Sequence, residues 1–248
     1  MRRGAFIVAV LGLAAWAGAA LARPPVVVEL FTAQGCSSCG KASAYLADLA
    51  DQKGVIALTF DVDYWDYLGW KDTFAQPQFT ERQRLYARAL DVAEIYTPQV
   101  VIDGRVQVAG VRPEAIARLV RQAARAIPDP PDMTLSHDYA AVGSGPRPRG
   151  GAEVWLVRYD PRQQTVEVKD GDNRGQSVVE RNIVVQLERL GAWRGRPERF
   201  RLPAAAQDGL ATVILVQARE GGRILGVMQN PAPRASAAPP ASAPTPRG

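Results

Sequence analysis

Cys36 and Cys39 are the only cysteines in this chain of 248 residues, and they constrain its fold more than any other feature. Residues 26–31, just before them, are largely apolar and rich in β-branched side chains, which predicts a buried strand. Gly35 marks a turn, and over residues 42–49 apolar side chains recur at helical spacing. The sequence therefore predicts a strand, a tight turn that carries both cysteines, and a helix that begins beside them.

The segment that follows continues the alternation of strands and helices. Thr80 and Gln83 form a candidate capping box, and Asp103-Gly104-Arg105 is a strong signal for a short hairpin. The predicted elements are a strand at 55–62, a helix from 80 to about 90, strands at 100–102 and 106–108, and a helix from 113. The order β-α-β-α-β-β-α, with the cysteines between the first strand and the first helix, predicts a thioredoxin-like α/β domain over residues 23–128.

A linker and a β-rich region come next. Pro128-Asp129-Pro130-Pro131 breaks the last helix and marks the linker. Turn signals then separate four predicted strands, at 153–159, 165–169, 178–188 and 210–218. Residues 129–230 are therefore expected to form a smaller, sandwich-like region. Residues 231–248 are rich in Pro, Ala and Ser and are predicted to be a disordered tail.

Residues 1–22 have the pattern of a secretory signal peptide. Arg2 and Arg3 give a positive start, residues 5–17 are apolar, and Ala20-Leu21-Ala22 matches a small-x-small cleavage site. The alternative is a membrane anchor, which needs about 20 apolar residues, and no later stretch is long enough either. We therefore expect an exported protein, in the periplasm or outside the cell, with no stable membrane anchor after cleavage.

The charge balance argues against a nucleic-acid partner. The formal net charge is +5, and it falls to +3 once Arg2 and Arg3 are removed with the signal peptide. That charge is mild, and no predicted helix carries a basic stripe interleaved with aromatic residues. Hydrophobic residues make up 47% of the chain, which is enough to fill a core.

Placement at a helix N-terminus gives the cysteine pair a chemical rationale. Free N–H groups and the positive end of the helix dipole stabilise a thiolate over a thiol. Cys36, the outer cysteine, is the candidate nucleophile, and Cys39 is spaced to resolve a mixed disulfide. Because exported cysteines meet an oxidising environment, the two are expected to be able to form a disulfide.

Other roles for the cysteine pair remain open at the level of sequence. The disulfide can be structural, although closing a loop of about four residues stabilises a fold by only ~2 kcal/mol. A zinc site would need more ligands, and His137, the one histidine, lies beyond the linker. A copper site suits soft thiolates, but no Met or His cluster lies nearby. No metal site is assigned.

Two further segments are expected to meet the cysteines. Thr97-Pro98 precedes the third strand, where a thioredoxin-like fold carries a cis-proline that aligns a substrate by strand addition. A trans-proline that opens an edge strand is the alternative. The loop 63–70 follows the second strand, so its rings would lie at the same sheet edge as Cys36. The candidate groove walls, which alternatively close the end of the sheet as core residues, are Tyr64, Trp65, Tyr67 and Trp70.

Carboxylates near the cysteines are candidates for moving protons. Asp61 and Asp63 flank the end of the second strand and, with Asp66, can raise the pKa of a thiol by like-charge repulsion. The alternative is that these acids are simply solvated. Glu29 lies in an otherwise apolar strand, where burial of a carboxylate is costly. It is a candidate proton acceptor for Cys39.

Several motifs carry a resemblance to one family. They are Glu29-Leu30-Phe31-Thr32, Gln34-Gly35-Cys36-Ser37-Ser38-Cys39, Val62-Asp63-Tyr64-Trp65-Asp66-Tyr67-Leu68-Gly69-Trp70-Lys71-Asp72, Tyr96-Thr97-Pro98-Gln99 and, more loosely, Asn173-Arg174-Gly175 and residues 178–184. On these residues the chain resembles the secreted bacterial thioredoxin-like proteins catalogued as domain of unknown function 1223. Members usually have Pro where this chain has Gly40, and often His where it has Asp61. An acid at that position favours a neutral thiol.

The leading hypothesis is an exported thiol–disulfide oxidoreductase that acts on protein or small-molecule thiols. In this hypothesis Cys36 attacks, Cys39 resolves, and no cofactor beyond the Cys36–Cys39 disulfide is needed. One alternative is a periplasmic binding or assembly module with a structural disulfide, and another is a copper metallochaperone. A buried, stable disulfide would favour the binding module, whereas an exposed pair would favour the enzyme.

Overall fold

A computed structural model describes residues 23–126 and 129–230 of the chain. The predicted signal peptide (1–22) and the predicted tail (231–248) lie outside these residues. The strands are β1 (Val26–Thr32), β2 (Val55–Asp61), β3 (Gln99–Ile102), β4 (Val106–Ala109), β5 (Met133–Leu135), β6 (Tyr139–Val142), β7 (Ala152–Asp160), β8 (Gln164–Glu167), β9 (Ser177–Glu180), β10 (Ile183–Trp193), β11 (Glu198–Arg201), β12 (Ala211–Ala218) and β13 (Ile224–Asn230). The helices are α1 (Gly40–Ala50), α2 (Pro77–Ala89) and α3 (Pro113–Arg125).

One mixed sheet of eight strands runs through the molecule in the order β13-β12-β7-β10-β2-β1-β3-β4. β1 and β2 pair in parallel, joined by the crossover through α1, whereas β3 is antiparallel to both β1 and β4. The β3–β4 turn has positive φ at Asp103 and Gly104, as the Asp-Gly hairpin signal predicts. The protein is therefore of the α/β class, with a mixed central sheet.

Strands from residues 129–230 extend this same sheet. β10 runs parallel to β2, with Ile183 opposite Thr59, and the side chain of Asn182 donates a hydrogen bond to the carbonyl of Ala57 at 2.8 Å. β7, β12 and β13 follow outward as antiparallel strands. The region is β-rich, as its turn signals predict, but its main layer is continuous with the sheet of the first region.

A second layer is formed by the three-stranded sheet β11-β6-β5. It packs on β7 and β12 around Trp193 and Phe200, which are 1% and 5% exposed. This sheet-on-sheet packing is typical of a sandwich. The sandwich-like region is therefore not set apart from the first region, since one of its two layers belongs to the central sheet. The physical reason is that β2 would otherwise leave its outer backbone groups unpaired, and β10 pairs with them.

The predicted strand 178–188 is two strands in the structure. Asn182 has a φ of 56°, and the chain turns there between β9 and β10. β9 pairs with β8 in a hairpin of its own, and this hairpin lies against α1. The turn therefore carries the end of β9 towards the cysteine-bearing helix.

Helices cover both faces of the first half of the sheet. α1 and α3 pack on one face through Leu46 and Ile116, and α2 packs on the other through Phe79 and Tyr86. α2 begins at Pro77, earlier than the capping box predicts, because proline is well suited to the first turn of a helix. Within the described residues, no helix is both long and apolar enough to cross a bilayer.

Candidate functional site

The two cysteines form a disulfide at the start of α1. Their Cα atoms are 5.4 Å apart, and Cys39 is the N-cap residue, whose carbonyl accepts the N–H of Ser43 at 3.0 Å. β1 ends at Thr32, so the disulfide lies just beyond the carboxyl end of this strand. The free N–H groups of the first helical turn lie at the same end of α1.

The disulfide is almost completely shielded from solvent. Cys36 is 1% exposed and Cys39 is 2% exposed, although Ser37 and Ser38 between them are exposed. Cys36 nevertheless lines a groove of about 750 Å³, whose two sides are α1 and residues 172–181. Among the described residues, this groove is the path by which another molecule can reach Cys36.

Gln34 holds the loop that precedes the cysteines. Its backbone N–H donates to Asp72 Oδ2 at 2.6 Å, and its backbone carbonyl accepts the side-chain amide of Asn173 at 2.7 Å. Its side chain accepts the indole N–H of Trp70 at 3.0 Å and donates to the hydroxyl of Thr73 at 2.8 Å. Segments far apart in sequence thus converge on one fully buried residue, which fixes the position of the cysteine turn.

Thr97-Pro98 has a cis peptide bond and lies beside α1. A Cβ on Gly110 would be 2.8 Å from Pro98 Cβ and 3.0 Å from Ala42 Cβ, so a glycine is needed where the three meet. The hydroxyl of Thr97 accepts the indole N–H of Trp65 at 2.8 Å. Thr97-Pro98 and the aromatic loop are therefore in contact next to the cysteine-bearing helix.

The aromatic residues of the loop 63–70 have different environments. Tyr64 and Trp65 pack against the apolar cluster that contains both cysteines, and burial raises the pKa of Tyr64 to about 12. Trp70 is anchored on Gln34. Tyr67 is 81% exposed. The structure therefore places Trp65 and Trp70 at the cysteine turn and Tyr67 in solvent.

Two carboxyl groups meet in the interior near this turn. Asp61, at the end of β2, is fully buried, and Glu180, at the end of β9, is 2% exposed. Burial, with the charges of Glu180 and Asp72, raises the pKa of Asp61 well above its usual range. Burial, with the charge of Asp72, raises the pKa of Glu180 to about 8. Each of these two acids thus lies in surroundings that favour its protonated form, because burial and the neighbouring acids oppose ionisation.

Other polar atoms around Asp61 are also buried. No N–H or hydroxyl of the described chain donates a hydrogen bond to either oxygen of Asp61 or to Glu180 Oε1, and Thr32 Oγ1 and Ser43 Oγ likewise lack a partner there. Thr32 is opposite Asp61 in the β1–β2 pair, and Ser43 is a buried residue of α1. Each of these atoms is buried in the interior, where polar groups are normally paired.

Glu29 has partners other than the cysteines. Its carboxylate accepts a hydrogen bond from Arg82 Nε at 2.8 Å and another from the hydroxyl of Tyr86, and all three residues are buried. Arg82 also donates to Gln217 Oε1 at 3.2 Å. The positive charge of Arg82 offsets the cost of burying Glu29. The described contacts therefore place Glu29 in an ion pair with α2, and they include no hydrogen bond to Cys39.

Asp63 and Asp66 hold the aromatic loop to its neighbours. Asp63 Oδ1 accepts the hydroxyl of Thr80 at 2.6 Å, which ties the loop to α2. Asp66 Oδ1 accepts the backbone N–H of Asp72 at 3.1 Å. Of the acids that the sequence suggested, only Asp61 is buried with neither carboxyl oxygen accepting a hydrogen bond within the described chain.

Sequence reasoning did not single out Gln34, Asp72, Asn173 or Glu180 as site residues. Asn173 lies 139 positions after Gln34, and only the fold brings the two together. One signal was present, because Gln34, Asp72 and Asn173 all fall within motifs shared with the resembling family. Glu180 lies in residues 178–184, where the resemblance is looser, and a single acid in a short strand is otherwise ordinary.

The side chains considered as metal ligands do not lie together in the described structure. The side chain of His137 is 99% exposed, in the turn between β5 and β6. Across residues 23–126 and 129–230, no group of three or more His, Cys, Asp or Glu side chains is arranged to hold a metal ion.

Fold and site together define an α/β protein in which a disulfide at a helix start is enclosed by loops from both halves of the chain. The family model described as "Protein of unknown function (DUF1223)" matches residues 27–217, and the chain belongs to this family. The match spans the cysteine-bearing half and most of the β-rich half. No curated protein matches the chain.

A solved structure is similar over nearly the same extent. It is the X-ray crystal structure of a protein from Agrobacterium tumefaciens, a structural genomics target. The two chains are 30% identical, with a TM-score of 0.68, and the similarity covers 86% of this chain and 97% of the other. This similarity supports a single architecture that includes both regions.

Proposed function

We propose that this chain is an exported thiol–disulfide oxidoreductase whose first region is a thioredoxin-like domain. The strand order β2-β1-β3-β4, with α1 and α3 on one face and α2 on the other, supports that fold. So does the cis-proline at the start of β3, beside the helix that begins at the disulfide. Export rests on the signal-peptide pattern of residues 1–22.

One observation carries the proposed activity: Cys36 lines a groove at the N-terminal end of α1. A thiolate there is stabilised by the helix end, and the groove lets a second molecule reach it. Cys39, one turn further in, does not line the groove. The division of roles, with Cys36 attacking and Cys39 resolving, follows from this difference.

The reaction transfers two electrons between the cysteine pair of this protein and a substrate disulfide or dithiol. The thiolate of Cys36 attacks a substrate disulfide, so that a mixed disulfide forms as the substrate S–S bond breaks, and the departing thiolate takes up a proton. The thiolate of Cys39 then attacks Cys36 Sγ, releases the second substrate thiol and closes the Cys36–Cys39 disulfide. The substrate gains two electrons and two protons, and the protein loses them. The reverse sequence oxidises a substrate dithiol.

Residues around the groove have supporting roles in this proposal. The backbone of Thr97, before Pro98, aligns an extended substrate by strand addition, and Trp65 holds the Thr97 side chain in place. Tyr64, Trp65 and Trp70 do not line the groove beside Cys36, so in this proposal Trp70 and Tyr64 act by packing at the cysteine turn. Glu180 lines the same groove as Cys36. Because its pKa is raised to about 8, Glu180 is suited to accept or return the proton of an attacking thiol.

The burial of the disulfide supports a second candidate, a binding or assembly module in which this bond stays closed. Cys36 and Cys39 are only 1% and 2% exposed, and Asn173 fastens a loop of the β-rich region onto Gln34 beside them. A shielded disulfide exchanges slowly with external thiols, because attack requires access to sulfur. In this reading the β-rich region would recognise the partner.

Titration of the cysteine pair against a thiol redox buffer separates the two candidates. Free thiols are trapped with an alkylating probe at each poise, with the Cys36→Ser variant as the baseline. A midpoint potential between about −120 and −270 mV, the range of exchange catalysts, supports the oxidoreductase. A pair that stays oxidised below about −300 mV, or that resists the probe while the protein is folded, supports the structural disulfide.

A pair of variants tests whether the Asn173 loop limits access to the disulfide. Asn173→Ala removes the hydrogen bond to the Gln34 carbonyl, worth about 1 kcal/mol, so the rate of reduction by a small thiol should rise several-fold. Arg174→Ala, at the exposed neighbouring position, is the matched control and should leave the rate unchanged. Equal rates for both variants would show that the loop does not gate the groove.

A further inference from the structure

A second cavity, remote in sequence from the cysteines, lies beside the three-stranded sheet. Its volume is about 1010 Å³, and its walls come from β6, β7, β11 and residues 203–210. Three arginines and two aspartates line it: Arg158, Arg199, Arg201, Asp138 and Asp208, so positive side chains outnumber negative ones. In the described part of the chain none of the three forms an ion pair with a carboxylate, whereas other arginines do.

Arg158 is the buried member of this arginine cluster. It is 5% exposed, and its guanidinium donates to the carbonyls of Pro203 and Ala204 at 2.7 and 2.9 Å and to Gln186 Oε1 at 2.8 Å. All three acceptors are neutral. A buried cation without a counter-ion is unfavourable unless an anion compensates it. Burial lowers the pKa of Arg158 and the nearby charge of Glu188 raises it, so Arg158 is a fixed positive group at the cavity with no carboxylate in direct contact.

Arg199 and Arg201 form the outer wall of the cavity. They alternate in β11 with Phe200, which is buried, so both arginines share the face away from the core and are roughly 7 Å apart along the strand. Arg199 lies over the ring of Tyr139, 3.7 Å from its centroid, which holds the guanidinium in a fixed place. The two side chains thus present a row of positive charge with the period of an extended strand.

β11 is also an edge of the three-stranded sheet. One side of its backbone has no strand partner in that sheet, so an extended peptide can pair with it. Side chains two positions apart in such a peptide share a face. Acidic residues at alternate positions would therefore meet Arg199 and Arg201, with Arg158 at the floor of the cavity.

We propose that this cavity binds an extended acidic peptide segment with carboxylates at alternate positions. The segment belongs to another molecule, because residues 231–248, which follow the cavity residue Asn230, contain no Asp or Glu. The binding site is independent of the cysteine pair, so it holds whether or not the disulfide is catalytic.

The test is calorimetric titration of the mature chain with a capped pentapeptide that has glutamate at alternate positions, at low ionic strength. The matching glutamine peptide and inorganic pyrophosphate are the comparison ligands. We expect the glutamate peptide to bind with an affinity that falls as salt is added, and the glutamine peptide not to bind. The double variant Arg199→Ala, Arg201→Ala should bind it about tenfold more weakly or worse, the effect of losing a charge-assisted hydrogen bond.

The matched control is the double variant Arg118→Ala, Arg125→Ala, which removes the same charge from the exposed face of α3. It should bind the peptide as the parent does, and thermal unfolding should show that both double variants are folded. The proposal is overturned if no binding occurs, if the two double variants lose affinity equally, or if pyrophosphate binds at the cavity and the peptide does not.

Discussion

Glu180 acquires its properties from its surroundings rather than from its sequence neighbours. In β9 it alternates with exposed residues and points inward, where Asp61 and Asp72 face it and no base is described as its partner. An acid buried among acids retains its proton to higher pH than in water. The raised pKa of Glu180 is therefore a property of the folded state alone.

The stability of the protein should consequently fall as the pH rises from about 5 to 8. The unfolded Glu180 ionises near its usual pKa of 4.5, whereas the folded residue keeps its proton until about pH 8. In that window the folded state binds more protons, so the free energy of unfolding decreases with pH, by at most about 1.4 kcal/mol per pH unit for one proton. Above pH 8 the effect levels off. Urea unfolding at several pH values measures it.

Glu180→Gln is the variant that should flatten this pH dependence, because the amide does not titrate. Glu188→Gln, at an exposed position of β10, is the control and should retain the parent slope. Equal losses of stability for Glu180→Gln and the parent between pH 5 and 8 would show that Glu180 is not the group responsible for the pH dependence.

At the scale of elements, a buried ion pair and a hydrogen bond of its arginine connect two strands and one helix. Glu29 is in β1, Arg82 in α2 and Gln217 in β12, so the network crosses from the first region to the β-rich one. Arg82 also lies over the rings of Phe60 and Trp155, at 5.6 and 5.8 Å. The packing of α2 on the sheet thus depends on a charge that must stay paired.

Removal of one partner of this ion pair should be strongly destabilising. We expect Arg82→Met to lower the free energy of unfolding by about 3–5 kcal/mol, because the carboxylate of Glu29 is left buried without a counter-ion. Arg84→Met, on the same helix in an exposed ion pair with Glu81, should cost no more than about 1 kcal/mol. In a double-mutant cycle, Glu29→Gln combined with Arg82→Met should cost less than the sum of the single changes. Additive costs would show that the pair is not coupled.

At the scale of the whole molecule, the largest apolar core is shared between the two regions. Phe31, Phe60 and Tyr86 pack in the same cluster as Val184 and Leu215. β10 covers the edge that β2 would otherwise expose. The sheet and the apolar core therefore both continue across the predicted boundary at residue 128.

A fragment of residues 23–128 should not be stable by itself, in contrast to residues 23–230. Loss of β10 exposes the edge of β2 and the apolar face that Val184 and Leu215 cover, which favours aggregation. Circular dichroism with thermal unfolding compares the two chains, and co-expression of residues 129–230 should recover soluble fragment. A fragment that unfolds cooperatively at the melting temperature of the longer chain would contradict the shared core.

The cysteine turn, the β-α-β-α-β-β-α order and the Asp103-Gly104 hairpin were predictable from sequence, because each depends on residues close together in the chain. Apolar periodicity, turn chemistry and a proline at the start of a helix act over a few residues and leave a local pattern. The same holds for the resemblance to the family, which rests on short motifs around Cys36, Asp63 and Thr97 and is confirmed by the family model over residues 27–217.

Tertiary structure alone decided the surroundings of those residues. The pairing of β10 with β2, the hydrogen bond from Asn173 to Gln34, the raised pKa values of Asp61 and Glu180, and the arginine-lined cavity each join segments far apart in the chain. No local pattern encodes such contacts, because burial and charge pairing depend on which segments the sheet brings together. Glu29 makes the point clearly, since an acid in an apolar strand predicts only that a partner exists, and the fold determines that the partner is Arg82.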